Sequence, residues 1–482
     1  MNERIIKFGT DGWRGTIADD FTFENLKVVT QGICEYLEHK AELKSSRPRV
    51  VIGYDTRFLS DKFAGEAAAV LAANGVETIV SDAVVPTPVL SYAVVSRDAD
   101  LGIMITASHN PYYYNGYKIK GPYGGSATMD IISKIEKRVN KGISDGLFYR
   151  SLEGSGKHIS GVAYDDFISP YRDHIFRLVD PSVAEGYGLR LLIDPMYGAG
   201  QGLYRTIIEQ FKPEKLVEIH SQFNPGFGGI NPEPIGDNLN DAVLKIKECG
   251  LDMAICLDGD ADRIGALDRK GNYISSHHIF ALILWHLVND KKLRGRVVKT
   301  VSTSSIIDRI CKKYSLELKT TPIGFKYIGE EILRGGVIMG GEESGGLWSY
   351  GNIPERDGML MGLKLVEICA LHKKPIDEIM DHIYDQFGYF AYQRKDYHIN
   401  DEQKQKLAAL LNQQIPRPLK DMGSREVVTI DGYKYIIPDG SWVMIRPSGT
   451  ESVVRVYAES DSSGNLDRMH YVGKKVIDGI MV

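Results

Sequence analysis

Six residues, Asp258-Gly259-Asp260-Ala261-Asp262-Arg263, follow the apolar run Leu251–Leu257. Three carboxylates at alternate positions of a tight loop can converge on one hard cation. Left unpaired they repel one another, so the spacing itself asks for a metal. An EF-hand would need Gly at loop position six and Glu at position twelve, but Arg263 and Arg269 stand there. A solvated acidic turn is the plain alternative, and it explains poorly why the acids end an apolar strand. A second polar segment, Thr106-Ala107-Ser108-His109-Asn110-Pro111, also follows an apolar run. Ser108 is expected to be exposed at a strand-to-loop turn. Ser and Asn capping an ordinary turn would look the same. Ser108 and His109 are adjacent, which usually makes their side chains diverge, and no GxSxG elbow surrounds the serine.

Two further loops carry chemistry. In Gly340-Gly341-Glu342-Glu343-Ser344-Gly345-Gly346, acid and hydroxyl groups on a glycine-flexed loop suit vicinal hydroxyls of a sugar. Arg446-Pro447-Ser448-Gly449-Thr450-Glu451 combines a guanidinium, hydroxyls and glycine-freed N–H groups, the makings of a phosphate cradle. A glycine-rich turn and a hairpin turn are the structural alternatives. Gly9–Gly15 (GTDGWRG) adds Arg14, Lys118 lies just past the serine loop, and Lys326 precedes a helix.

These loops need strands to end on. Residues 23–38 show helical spacing, with Thr22 as N-cap; 50–54 reads as a buried strand, 60–73 as a helix stopped by Asn74-Gly75, and 76–80 and 101–106 as strands. This alternation predicts a parallel sheet with helices on both faces. The rhythm restarts twice, from 189 and from 297, ending in helices 357–372 and 376–387. Short strands at 426–430, 433–437, 441–446 and 453–459, then a helix over 465–480, suggest an α+β close. Polar stretches at 141–160 and 385–400 read as linkers. The expectation is four domains, at 1–150, 151–267, 268–388 and 389–482.

The bulk numbers fit. A chain of 482 residues can hold several cores. Net charge −5 argues against nucleic acid or an anionic membrane as partner, so an anionic substrate needs local cations. Five scattered cysteines suit buried thiols in a reducing compartment. The N-terminus lacks an apolar signal core, and no apolar run would span a bilayer, so a cytoplasmic location is expected.

With GTDGWRG, TASHNP, DGDADR, GEESGG and RPSGTE in this order across residues 9–451, the sequence resembles the α-D-phosphohexomutase superfamily, in its phosphoglucomutase/phosphomannomutase group. The resemblance implies three related mixed α/β domains and a smaller α+β C-terminal domain around a central cleft. It implies a phosphoryl group carried on Ser108, and one Mg²⁺ held by Asp258, Asp260, Asp262 and a phosphoserine oxygen. Arg14, His109 and Lys118 match positions flanking the phosphoserine. Glu342 and Ser344 match sugar-binding positions, Arg446, Ser448, Gly449 and Thr450 the distal phosphate site, and Arg263 and Lys326 further substrate contacts.

The implied reaction interconverts hexose 1-phosphate and 6-phosphate through a hexose 1,6-bisphosphate, with glucose favoured and mannose also open. Relatives that take both sugars often carry histidine where Gly346 stands. Lys118, with Arg14 nearby, is the first choice for proton transfer and His109 the second; two phosphates would oppose the lowered pKa a lysine base needs. The expected partners are small hexose phosphates, with the protein a monomer or homodimer. Phosphoglucosamine mutase, a metal-dependent sugar phosphatase and an idle sugar-phosphate binder are the alternatives. A phosphatase leaves TASHNP and RPSGTE unexplained, and an idle binder does not need Ser108 with three aspartates.

Overall fold

The structure is a computed structural model that describes residues 6–9, 11–39, 47–146, 148–152, 159–448 and 452–479. Its first sheet comprises β1 (Trp13–Thr16), β2 (Arg49–Tyr54), β3 (Glu77–Ser81), β4 (Leu101–Ile105), β5 (Tyr114–Lys120) and β6 (Val162–Asp165), in the order β1-β5-β4-β2-β3-β6. The second holds β7 (Arg190–Asp194), β8 (Lys215–Glu218), β9 (Met253–Leu257), β10 (Ile264–Asp268) and β11 (Tyr273–Ile274), ordered β11-β10-β9-β7-β8. The third holds β12 (Arg296–Thr300), β13 (Leu318–Thr321), β14 (Val337–Gly341) and β15 (Leu347–Ser349), ordered β13-β12-β14-β15.

One plan underlies all three. A first strand is flanked by the next two in parallel, and a fourth returns antiparallel beside the third. The sheets are therefore mixed rather than wholly parallel. The return is too short for a crossover, which takes a dozen or more residues. In every unit that return turn carries one of the motif loops. The serine loop joins β4 to β5, the aspartate loop β9 to β10, and the Glu342 loop β14 to β15.

The third strands form because they are unbroken apolar runs, buried at every position: Leu-Gly-Ile-Met-Ile, Met-Ala-Ile-Cys-Leu and Val-Ile-Met-Gly-Gly. Polar side chains then gather where each run stops. The helix Phe23–Glu38 starts where expected, with the Thr22 side chain accepting from the Asn25 N–H.

The fourth sheet is antiparallel: β16 (Ala391–His398), β17 (Glu426–Val428), β18 (Tyr433–Ile436), β19 (Trp442–Pro447) and β20 (Val453–Ser460), ordered β16-β20-β19-β18-β17. The helix Ser463–Asp478 packs on it. The stretch expected to be a linker near 385–400 is largely β16, which pairs with β20 along its whole length. At the other expected linker, the helix Met129–Ser144 occupies the start, and the first sheet takes β6 from beyond residue 150.

One apolar core runs through the three α/β units, joining Val89 and Met104 to Leu191, Ile255, Phe280 and Leu360. The C-terminal unit has its own core and docks through a small cluster of Val301, Trp442, Met444 and Tyr457. All five cysteines are free thiols, four of them buried. Among the described residues no helix is long and apolar enough to cross a membrane.

Candidate active site

The aspartate loop folds back on itself through hydrogen bonds from the Ala261 N–H to the Asp258 carbonyl and from the Arg263 N–H to Asp258 Oδ1. This brings the three carboxylates together, fully buried, with ligand oxygens within 4.8 Å of one another. Ser108 Oγ donates to Asp258 Oδ2 at 2.9 Å. The serine loop and the metal loop, 150 residues apart in sequence, thus meet face to face. Contrary to the exposed position expected for it, Ser108 is 1% exposed. The aspartate loop covers it so closely that a Cβ on Gly259 would lie 2.4 Å from the Ser108 carbonyl oxygen.

Ser108 has φ of 55°, in the left-handed region that a side chain rarely adopts. Two groups hold it there. Its N–H donates to Thr106 Oγ1, and the buried guanidinium of Arg57 donates to the carbonyls of Ser108, Asn110, Pro111 and Tyr114. Arg57 also pairs with Asp55 at 3.3 Å. Arg14 on β1 braces the same loop through Asn110 Oδ1 at 2.7 Å.

The carboxylates have an unmet need. Asp260 Oδ1 and Asp262 Oδ1 are buried and have no hydrogen-bond partner. Burial, then repulsion from Asp260 and Asp262, pushes the Asp258 carboxyl well above the ordinary range. Three buried carboxylates with orphaned oxygens suit a hard divalent cation, which prefers oxygen ligands. The residues therefore fit the Mg²⁺ that the resemblance implies.

Lys118 lies on β5, 2.7 Å from Asp260 Oδ2, 2.9 Å from Asp262 Oδ2 and 2.9 Å from Asp11 Oδ2. Burial works against its charge, but Asp11, Asp260 and Asp262 outweigh it and raise its pKa above the ordinary lysine value. Such an ammonium suits a proton donor or counter-charge better than a base. The His109 ring is held neutral, its pKa lowered well below the usual value by burial and by the cations Arg263 and Arg14. Its Nδ1 has no partner.

In front of this buried group opens a cleft of about 720 Å³. It is lined by His109, Arg263, Lys326, Glu342, Ser344, Arg446 and Ser448, which come from all four units. Ser108, Lys118, Arg14 and the three aspartates are not in the wall itself. Gly449 and Thr450 lie outside the described residues. Glu342 accepts from the Gly324 N–H at 3.0 Å, and burial pushes its pKa up to about 7. Arg446 Nε donates to Asp431 Oδ1 at 2.8 Å.

Sequence reasoning missed one hub. Arg356, 5% exposed, reaches Asp11 at 2.5 Å, Asp262 at 2.7 Å and Glu342 at 3.9 Å, so it touches loops of three units. The charged run Glu355-Arg356-Asp357 before an apolar helix was the available signal. Arg394, Arg455, Tyr392 and Tyr457 also line the cleft and were not singled out.

Comparison with known proteins agrees with this architecture. The family models for phosphoglucomutase/phosphomannomutase match in chain order: α/β/α domain I over residues 6–145, domain II over 169–271, domain III over 275–387 and the C-terminal domain over 404–470. A phosphoglucomutase of Komagataeibacter xylinus is 31% identical, covering 95% of this chain and 88% of its own length. A protein of Methanosphaera stadtmanae named probable phosphoglucosamine mutase is 28% identical, with 98% of each chain covered. The crystal structure of a putative phosphomannomutase from Thermus thermophilus superposes with a TM-score of 0.85 at 32% identity, covering 98% of this chain and 99% of the other. The chain belongs to the phosphoglucomutase/phosphomannomutase family of the α-D-phosphohexomutase superfamily. It is an intramolecular phosphotransferase acting on hexose phosphates.

Proposed function

We propose that the enzyme interconverts glucose 1-phosphate and glucose 6-phosphate, with Ser108 as the phosphoryl carrier. The observation that carries this reading is the Ser108 hydroxyl 2.9 Å from Asp258, beside orphaned carboxylate oxygens and behind a cation-rich cleft. Asp258, Asp260 and Asp262, with an oxygen of the phosphorylated serine, would hold Mg²⁺. When bound, the ion supplies positive charge against the phosphoryl oxygens.

The phosphoryl group on Ser108 passes to the free hydroxyl of the bound hexose phosphate. The O–P bond to serine breaks, a new O–P bond forms on the sugar, and the product is the 1,6-bisphosphate. The sugar hydroxyl gives up its proton as the new O–P bond forms, and that proton ends on the Ser108 oxygen released; His109, whose protonated form is disfavoured by burial beside Arg263 and Arg14, would relay it only transiently. Lys118, held charged, balances the serine oxygen as its bond to phosphorus breaks. The bisphosphate then turns over in the cleft and returns its other phosphoryl group to Ser108. Glu342 and Ser344 would hold the sugar hydroxyls in both orientations. Arg446 and Ser448, with Gly449 and Thr450, would hold the phosphate away from Ser108. Arg263 and Lys326 add positive charge to the wall. Added hexose 1,6-bisphosphate would prime the carrier. The domain limits proposed are those expected from sequence, with β6 joining the first sheet across the limit at 150.

Gly346 supports the leaning toward glucose. A Cβ there would lie 2.3 Å from Arg356 Cδ, so the histidine of dual-specificity relatives has no room unless Arg356 moves. The test is a coupled assay of glucose, mannose and glucosamine 1-phosphates, with and without glucose 1,6-bisphosphate. The expected result is highest kcat/KM for glucose 1-phosphate, with bisphosphate stimulation. Preference for glucosamine 1-phosphate would contradict the substrate assignment, and release of inorganic phosphate without isomerisation would contradict the mutase mechanism.

A further inference from the structure

Asp260 is oriented from outside its own unit. Thr87 opens the helix Thr87–Ser96 of the first unit and is fully buried. Its Oγ1 donates to Asp260 Oδ2 at 2.5 Å, and its N–H donates to the Asp260 carbonyl at 2.9 Å. Lys118 Nζ donates to the same Oδ2. The carboxylate oxygen left without a partner is therefore Oδ1, one of the two orphaned oxygens of the aspartate group.

We propose that Thr87 is a positioning residue of the metal centre: by fixing the backbone and Oδ2 of Asp260, it presents Oδ1 to the cation. Metal affinity then depends on a side chain of the neighbouring α/β unit, 173 residues away in sequence. Partners that orient a metal-binding carboxylate are typically worth about 10–100-fold in metal affinity. The proposal rests on reading Asp258, Asp260 and Asp262 as metal ligands. Thr56 supplies the control. Its Oγ1 donates to the Tyr197 carbonyl at 2.8 Å across the same pair of units, rather than to a residue of the aspartate loop.

The experiment is calorimetric titration of the full chain with Mn²⁺, alongside thermal unfolding without metal. Thr87→Val should weaken Mn²⁺ binding about 10–100-fold, while Thr87→Ser, which keeps the hydroxyl, stays close to wild type. Thr56→Val should keep the wild-type Kd even where it lowers Tm. Thr87→Ala, which retains the backbone bond, replaces the valine variant if that does not fold. A wild-type Kd in the Thr87 variant, or an equal loss in Thr56→Val, overturns the proposal alone. A wild-type chain with no Mn²⁺ binding that Asp262→Asn removes would overturn the metal assignment, and this inference with it.

Discussion

Arg57→Ala tests how the carrier loop is held. The guanidinium is buried, pairs with fully buried Asp55, and donates to four carbonyls of residues 108–114. Removing one partner of a buried ion pair costs about 3–5 kcal/mol, because the other charge stays behind. The four carbonyls lose donors as well, so that range is a lower bound unless water enters. The deficit should depend on pH. Burial already raises the Asp55 pKa, and Arg57 opposes that rise. Without Arg57 the folded pKa goes higher, so the native state binds its proton more tightly than the unfolded chain. The deficit is then full above the folded pKa that Asp55 has without Arg57, and it shrinks as pH falls through that pKa. The assay is urea unfolding across pH, read on the first transition, since a chain of several domains unfolds in steps. Asp55→Asn combined with Arg57→Ala should recover part of the loss. A deficit under about 1 kcal/mol, the range of an exposed pair, or one that persists unchanged in acid, would refute this reasoning.

Three other outcomes are expected. Because Glu342 sits near pH 7 through burial, wild-type kcat/KM should fall on the acid side of about 7; Glu342→Gln should lose that limb and about 1–3 kcal/mol in both directions of the reaction, and an unaltered pH profile would refute the role. Arg446→Ala should raise KM for both isomers, while Ser133→Ala, exposed on the helix Met129–Ser144, should not; equal behaviour of the two would remove Arg446 from the phosphate site. Gly346→His should displace Arg356 and lower activity toward glucose and mannose phosphates alike, whereas a gain in mannose turnover would show that the loop makes room.

The serine, aspartate and Glu342 loops were legible because each sits where an apolar run ends, and a polar cluster at the end of such a run is a local signal. The three-fold rhythm was legible for the same reason, and the shared sheet order gives it a structural meaning. The exposure of Ser108 was misjudged because the residue covering it, Gly259, belongs to another unit. The surroundings of Lys118 were hidden likewise: Asp260 and Asp262 lie 142 and 144 residues away. Thr87 and Arg356 act through partners that only the packing of units brings near, and Arg57 through carbonyls 51 to 57 residues further along its own unit. β16 was lost among polar residues because alternate positions face solvent on an edge strand, leaving little apolar pattern to read.

The central claim is that Ser108 carries the phosphoryl group, and intact-mass spectrometry tests it most directly. Wild-type protein incubated with glucose 1,6-bisphosphate and Mg²⁺ should gain the mass of one phosphoryl group, mapped by peptide fragmentation to Ser108. Excess glucose 6-phosphate should remove that mass as bisphosphate forms. Ser108→Ala, with its fold intact by circular dichroism, should gain nothing and lose activity by orders of magnitude, while Ser344→Ala should still be labelled. A wild-type enzyme that turns over without ever carrying the group, or an alanine variant that is labelled or turns over at near the normal rate, would contradict the account.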